Sequence, residues 1–277
     1  MRIRTLCLVL GILLSVAVVK ADEESLWQLE AVDIHAPYAP APMANGSIGI
    51  LPQKEPFKVE HVMLNHVFDA AAPHVVSRVM RGINPFCLSV KIDGEAVDTS
   101  NISSWHQIID MRRAIHRTDL SALNKANISY ELCALRNLPY AGLIHVRIQA
   151  RKNMMLEVRS AMDIPDDYAK SAVRYREMEA EGHPMYMLES DATSRWGYRR
   201  VAATSSFLFE GNLIKPIYDE ATHELYFSLS VKEGETFCFS LIGSVCSSRD
   251  FLDPFNEAER QVIYAIHEGR DALMQAH

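Results

Sequence analysis

Carboxylates are the first residues to weigh for chemistry, and they crowd at Asp166, Asp167, Glu177, Glu179 and Glu181. A pair of acids works as general acid and base only where burial and fixed geometry hold the two in different protonation states. Here Glu177, Glu179 and Glu181 alternate in a charged run that ends at Gly182, which is the pattern of a solvated loop. His61 and His66 stand too far apart for a helical i, i+4 ligand pair, and a strand would send them to opposite faces. His106 and His116 lie farther apart still, so no metal site is assigned. Ser103 and Ser104 precede His106 without the G-x-S-x-G elbow of a nucleophile, so they are assigned to a strand entry. No catalytic residue, metal or cofactor is expected on this chain.

Aromatic residues are the stronger candidates. Trp105, Trp196 and Tyr198 are expected near loop or strand ends, where an exposed ring stacks on the apolar face of a ligand such as a sugar. The segment Trp196-Gly197-Tyr198-Arg199-Arg200 is the best placed to wall a binding site. The competing assignment for each ring is core packing.

These residues need a scaffold, and most of the chain reads as short strands. Ile48 to Leu51, Phe57 to Leu64, Phe86 to Ile92, Ile128 to Leu135, Gly142 to Gln149 and Met155 to Ser160 are apolar or alternating. Leu143, His145, Arg147 and Gln149 oppose Ile144, Val146 and Ile148 with a period of two. Asp93-Gly94 is a hairpin turn signal, and Gly211-Asn212 and Glu233-Gly234 are expected to punctuate later strand pairs. Strands at this spacing predict a mainly β fold, a large antiparallel sandwich of two broad sheets. Residues 165–180 read instead as an insertion loop with a short helix. Asp253-Pro254 is an N-cap followed by proline in the first turn, opening a helix that Gly269 should break before a second one begins.

The ends and composition bound the function. Arg2 and Arg4, an apolar run from Leu6 to Val19, and Ala21 before Asp22 describe a secretory signal peptide cut after Ala21. Loss of Arg2, Arg4 and Lys20 would take the formal charge from −7 to −10. An acidic chain without a basic cluster is a poor nucleic-acid partner. Beyond the leader no apolar run is long enough to cross a membrane. The expected organisation is a signal peptide at 1–21, a sandwich at 22–250 and a helical linker at 251–277. A secreted, periplasmic location is expected. Cys87, Cys133, Cys238 and Cys246 remain after cleavage, and buried free thiols are favoured over a Cys238–Cys246 disulfide.

Several pieces then occur in a telling order. Asn45-Gly46-Ser47-Ile48-Gly49 follows a proline-rich entry; Ile92-Asp93-Gly94-Glu95 comes next, then Ile109-Asp110-Met111-Arg112-Arg113-Ala114, then Tyr130 to Arg136 leading to Leu138-Pro139-Tyr140. Ordered this way they resemble the N-terminal domain of glycoside hydrolase family 65, over about residues 25 to 277. The sequence departs from the family pattern at Ala114, where many members have Gly, and at Ile109, where many have Leu.

The resemblance implies a galactose-mutarotase-like sandwich joined by linker helices to an (α/α)6 catalytic barrel that acts on α-glucosides with inversion. It implies that the catalytic acid, the α-glucoside site and any phosphate loop belong to that barrel, which would lie beyond His277. The expected role is thus a scaffold domain, inactive alone, in a hydrolase rather than a phosphorylase, because a secreted enzyme gains nothing from making a sugar phosphate. Two alternatives are a stand-alone carbohydrate-binding module and a half-protein that docks a separately encoded barrel.

Overall fold

The computed structural model describes residues 25–70, 75–180, 183–211 and 214–277. The expected signal peptide, Glu181 and Asn212 lie outside them. Strands are numbered along the chain. One antiparallel sheet carries nine of them, in the order β1 (Gln28–Ala31), β8 (Ile102–Asp110), β9 (Ile115–Ala122), β10 (Ala126–Ala134), β11 (Ala141–Ala150), β18 (Thr236–Ser247), β15 (Arg200–Phe209), β14 (His183–Ser194) and β13 (Tyr168–Ala180). A second layer covers its inner face. That layer is divided into a five-stranded sheet, β16 (Ile217–Asp219), β17 (Glu224–Val231), β12 (Met154–Asp163), β6 (Asn84–Ile92) and β7 (Glu95–Ala96), and a four-stranded sheet, β2 (Met43–Ala44), β3 (Ile48–Pro52), β4 (Val59–Asp69) and β5 (Arg78–Gly82).

The sandwich expected from the strand pattern is present, with its second sheet split. The split occurs where the chain switches sheets at a corner. Only Ile83, fully buried, separates β5 from β6. Asn84 pins that corner: its amide donates to the Val59 carbonyl at 3.0 Å, and its side-chain oxygen accepts from Phe86 N–H at 3.0 Å.

The core is built by alternation. Ile128, Tyr130 and Leu132 on β10 and Ile144, Val146 and Ile148 on β11 point inward. Phe227 of β17 inserts edge-on among rings of the large sheet, with centroids 5.0 Å from Phe207, 5.1 Å from Phe209 and 5.5 Å from Phe239. At the centre the layers approach more closely still. Gly142 and Gly243 are cross-strand partners on β11 and β18, and Pro85 and Phe86 sit on them. A Cβ at Gly243 would lie 2.7 Å from Pro85 Cγ and 2.9 Å from Phe86 Cε1; one at Gly142 would lie 2.5 Å from Ile50 Cδ1.

The outer face of the large sheet receives one helix, α1 (Pro254–Ala276). Asp253 caps it by accepting from Asn256 N–H at 3.3 Å, and Pro254 fills the first turn. Ala258, Val262 and Ala265 pack on Ala202, Met187, Leu208, Ile242 and Cys246. Gly269, at φ 75° and ψ 163°, breaks the helix as its position predicted. The segment beyond turns across β11 and β10, laying Leu273 and Met274 on Cys133 and Leu143.

The seam between α1 and β14 holds two buried acids. Glu189, 3% exposed, points at the seam. Arg176 of β13 pairs with Glu259 of the helix at 2.8 Å and lies 4.0 Å from Glu189. Arg174 pairs with Asp191 at 2.8 Å. Burial first, and then the neighbouring Glu259 charge, raise the Glu189 carboxyl to about 7; the Arg176 and Arg174 guanidinium groups oppose this.

Several expectations are corrected. Residues 168–180 form strand β13, not a loop with a helix. The segment is rich in helix-forming Ala, Glu, Arg and Met, but pairing with β14 from Tyr168↔Ser194 to Ala180↔His183 decides its state. Its charges suit an edge strand, which needs protection from further pairing. Gly211 and Gly234 do not turn hairpins: β15 and β18 belong to the nine-stranded sheet and β16 and β17 to the five-stranded one, so both turns carry the chain between layers. Asp93-Gly94 does turn the β6–β7 hairpin, with φ of 51° and 84°. The favoured free thiols are found: Cys238 and Cys246 lie on one strand eight residues apart, about 26 Å at strand rise and far beyond disulfide reach, and the four described cysteines are free, Cys133 and Cys246 buried and Cys87 and Cys238 half-buried. Ala114 adopts φ 54°, so the departure from glycine falls where the backbone is left-handed, at a cost of about 1 kcal/mol.

The glycine contact predicts that Gly243→Ala lowers stability by roughly 1–3 kcal/mol through overpacking. Chemical denaturation checks it, and an unchanged midpoint would refute the close approach. The seam predicts a pH effect. Because the folded Glu189 carboxyl sits above its ordinary value of 4.5, the folded state holds the extra proton, and stability falls as pH rises from about 4.5 to about 7. Glu189→Gln should match the native chain near pH 4 and exceed it above pH 7 by on the order of 2 kcal/mol. Parallel stability curves for the two chains would remove the effect.

Candidate functional site

The ends of β10, β14 and β18 and the starts of β11, β13 and β15 share one end of the large sheet. There the β14–β15 turn presents Trp196, 41% exposed, and Tyr198, 73% exposed. Gly197, at φ 76°, closes the turn by donating its N–H to the Ser194 carbonyl at 2.8 Å. Ser194 Oγ accepts from Arg199 N–H at 3.0 Å.

The turn is anchored on its neighbour. Arg195 donates its backbone N–H to the Asp167 carbonyl at 3.1 Å and its guanidinium to the Asp166 carbonyl at 2.9 Å. Asp167 in turn accepts from Arg78 at 2.6 Å and Arg81 at 2.9 Å. Burial works against its negative charge, but the two guanidinium groups outweigh this and hold the carboxyl below its usual range. A cavity of about 280 Å³ opens among Asp69, Arg78, Arg81, Asp166, Asp167 and Arg195. This arrangement can present rings and charged groups to a ligand. An aspartate held ionised by two arginines is unsuited to donating a proton. Glu177 lies elsewhere, on β13, where it pairs with Lys215 at 2.8 Å.

Trp105 does not join Trp196 and Tyr198. It is mid-strand on β8, 6% exposed, with its side chain in the core cluster. Five strands separate β8 from β14, roughly 25–30 Å at ordinary strand spacing. The expectation of a ring near a strand end is corrected: Trp105 is paired with Leu120, an inward residue, so it faces the second layer. His116 is likewise buried on the inner face, and burial lowers its imidazole to about 4.

A second cavity, of about 580 Å³, is a groove on the outer face of β8–β11. Strand register builds it in rungs. Arg117, Glu131, His145 and Ser240 form one rung, Asp119, Ser129, Arg147 and Cys238 the next, and Ser121, Asn127, Gln149 and Thr236 a third. Ser129 is the small residue at the centre, and the longer side chains around it leave the depression. Arg117 donates to Asp119 at 3.0 Å, Ser121 to Asn127 at 3.0 Å, and His145 Nδ1 lies 3.0 Å from Ser240 Oγ. Arg270, just past the helix break, closes one side, 3.9 Å from Glu131. Burial, reinforced by Arg270, depresses His145 to about 4, so it is neutral at pH 7. The alternation of β11 exposed half of this face to sequence reasoning. The other half needed the register of β9 against β10, which no single strand encodes.

Comparison with known proteins agrees with this architecture. The profile of the glycosyl hydrolase family 65 N-terminal domain matches residues 43–277. A kojibiose hydrolase of Mucilaginibacter mallensis is 31% identical over 265 residues, covering 94% of this chain and 39% of the relative. A kojibiose hydrolase of Flavobacterium johnsoniae is 32% identical over 241 residues, covering 85% of this chain and 35% of the relative. Among solved structures, a human-microbiome protein assigned as a kojibiose phosphorylase superposes with a TM-score of 0.68 over 90% of this chain and 37% of its own, at 10% identity. The chain thus spans somewhat more than a third of the length of these relatives. With the sandwich, the helix on its outer face and the profile match over most of its residues, the chain belongs to glycosyl hydrolase family 65, as an N-terminal domain.

Proposed function

We propose that this chain is the non-catalytic sandwich of a secreted, inverting α-glucoside hydrolase, and that its Ser194–Arg199 turn walls the mouth of an active site formed with a catalytic barrel. One observation carries the reading. The chain corresponds to only 39% and 35% of the two kojibiose hydrolases it resembles. Inverting hydrolysis needs two carboxylates about 6.5–9.5 Å apart with a water between them. Glu189 and Glu259, which share Arg176, are buried where the helix closes on the sheet and so do not face an open space.

The exposed rings support the role of the turn. Trp196 and Tyr198 project from a backbone fixed by Asp166, Asp167 and the β5 arginines, which suits stacking against a sugar. A leader read from Arg2, Arg4 and the apolar run to Val19, with its proposed cut after Ala21, supports a periplasmic destination and so a hydrolase over a phosphorylase. Kojibiose, an α-linked glucose disaccharide, is the proposed substrate class because both curated relatives carry its name.

The purified chain is expected to release no glucose from kojibiose, with or without phosphate. Fused to the remaining portion of the Flavobacterium johnsoniae relative, it should release glucose without phosphate. In that fusion, Trp196→Ala with Tyr198→Ala should raise KM roughly tenfold while changing kcat little, the pattern of lost substrate binding. Glucose release by the isolated chain would overturn the scaffold reading, and an unchanged KM would remove the turn from the mouth.

A further inference from the structure

The outer-face groove has no part in that reading, yet charged and hydrogen-bonding side chains make up most of its lining. Its side chains form a grid. Strands stand about 4.8 Å apart, and same-face residues along a strand repeat every ~6.7 Å. Donors and acceptors therefore recur at intervals that adjacent hydroxyl groups of a pyranose ring can bridge. The volume of about 580 Å³ falls within the roughly 300–1,000 Å³ typical of small-ligand sites.

The charges select the ligand class. Arg117 is paired with Asp119, and Glu131 faces Arg270. Only Arg147 brings a cation with no ion pair among the described residues, and Gln149 beside it has no side-chain hydrogen bond there. Both are exposed. The balance neither concentrates positive charge for an anion nor offers an apolar slot for a peptide side chain. Mixed amide, hydroxyl, carboxylate and guanidinium groups match a neutral polyhydroxylated ligand, which both donates and accepts at every hydroxyl.

We propose that this groove is a second, non-catalytic saccharide-binding surface, in which Arg147, Gln149 and Asn127 hydrogen-bond to the hydroxyl groups of a neutral oligosaccharide lying across β9, β10 and β11. The site lies across the sheet from the Trp196 turn and stands on its own geometry, so it survives or fails independently of the active-site mouth. Trp105, the one Trp, Tyr or Phe among its lining residues, is 6% exposed with its side chain in the core, so the groove binds weakly through hydrogen bonds and holds substrate near the enzyme rather than orienting it for reaction.

Amide NMR titration of the full chain with maltotriose, with kojibiose and, separately, with inorganic phosphate tests this. The expected result is saturable millimolar binding of a saccharide, with shifted amides on β9–β11. Arg147→Ala with Gln149→Ala should weaken it at least tenfold while the melting temperature stays unchanged. Several results would overturn the proposal. They are no saturation by saccharide at 50 mM, saturation by phosphate alone, shifts confined to residues 194–199 and abolished by Trp196→Ala, or equal affinity in the double variant.

Discussion

A nine-stranded antiparallel sheet has two faces to account for, and the unequal way they are covered governs the rest of this molecule. The inner face is mainly apolar, broken by Gln107, His116 and Thr118, and is closed by a second layer. The two layers meet most closely where Gly142 and Gly243 admit Pro85 and Phe86. Among the described residues the outer face has only α1 to cover it, and one helix cannot span nine strands. It shields β14, β15 and β18, turns at Gly269, and crosses the ends of β11 and β10. Where it lies, the outward residues include the apolar Met187, Leu208, Ile242, Leu143 and Cys133, with Glu189 and Ser244 buried among them. Where it stops, the same strands carry Ser129, Glu131, His145, Arg147 and Gln149. β11 passes from one regime to the other between Leu143 and His145.

Covering a sheet with a helix also decides where charge is tolerated. Glu189 sits on β14 at a position that in an uncovered sheet would be solvated. Under α1 it meets Glu259, and one guanidinium, Arg176, serves two carboxylates. A buried ion cluster of this kind need not add stability, because desolvation opposes the attraction. Its effect is to tie helix, edge strand and sheet together through a group that titrates near neutrality. The edge strand β13 therefore does more than end the sheet. Its outward arginines reach the helix, and Tyr168 at its start bonds back to Arg81 on the opposing layer at 2.6 Å.

The sequence disclosed local structure better than partnership. The apolar cores of β3, β6, β10, β11 and β12, the Asp93-Gly94 hairpin, the Asp253 cap and the break at Gly269 all rest on residue type and short-range period, and each was legible. β13 was not, because its composition favours helix and only pairing with β14 makes it a strand. Gly211 and Gly234 were legible as turns but not as crossings between layers, since a positive φ says that the chain bends and not which sheet receives it. Trp105 failed for the same reason. Its ring faces inward because its register partner, Leu120, does. The exposed Trp196 and Tyr198 were legible because Gly197 between them marks a turn, and a turn places its neighbours at the surface.

A carboxyl raised to about 7, as at Glu189, is what a general acid needs at neutral pH, and a titration taken alone would point to it as catalytic. The surroundings argue otherwise. A glycosidase acid must face its partner across a space that admits substrate and water. Glu189 faces a helix, and its nearest carboxylate, Glu259, is already engaged by Arg176 at 2.8 Å. The shift arises from closing the seam and not from preparing a reaction. The groups left accessible, the ring-bearing turn and the polar rungs of β9–β11, are suited to contact and not to proton transfer. The partnership proposed with a separate catalytic fold draws on those open surfaces and not on this sealed acid.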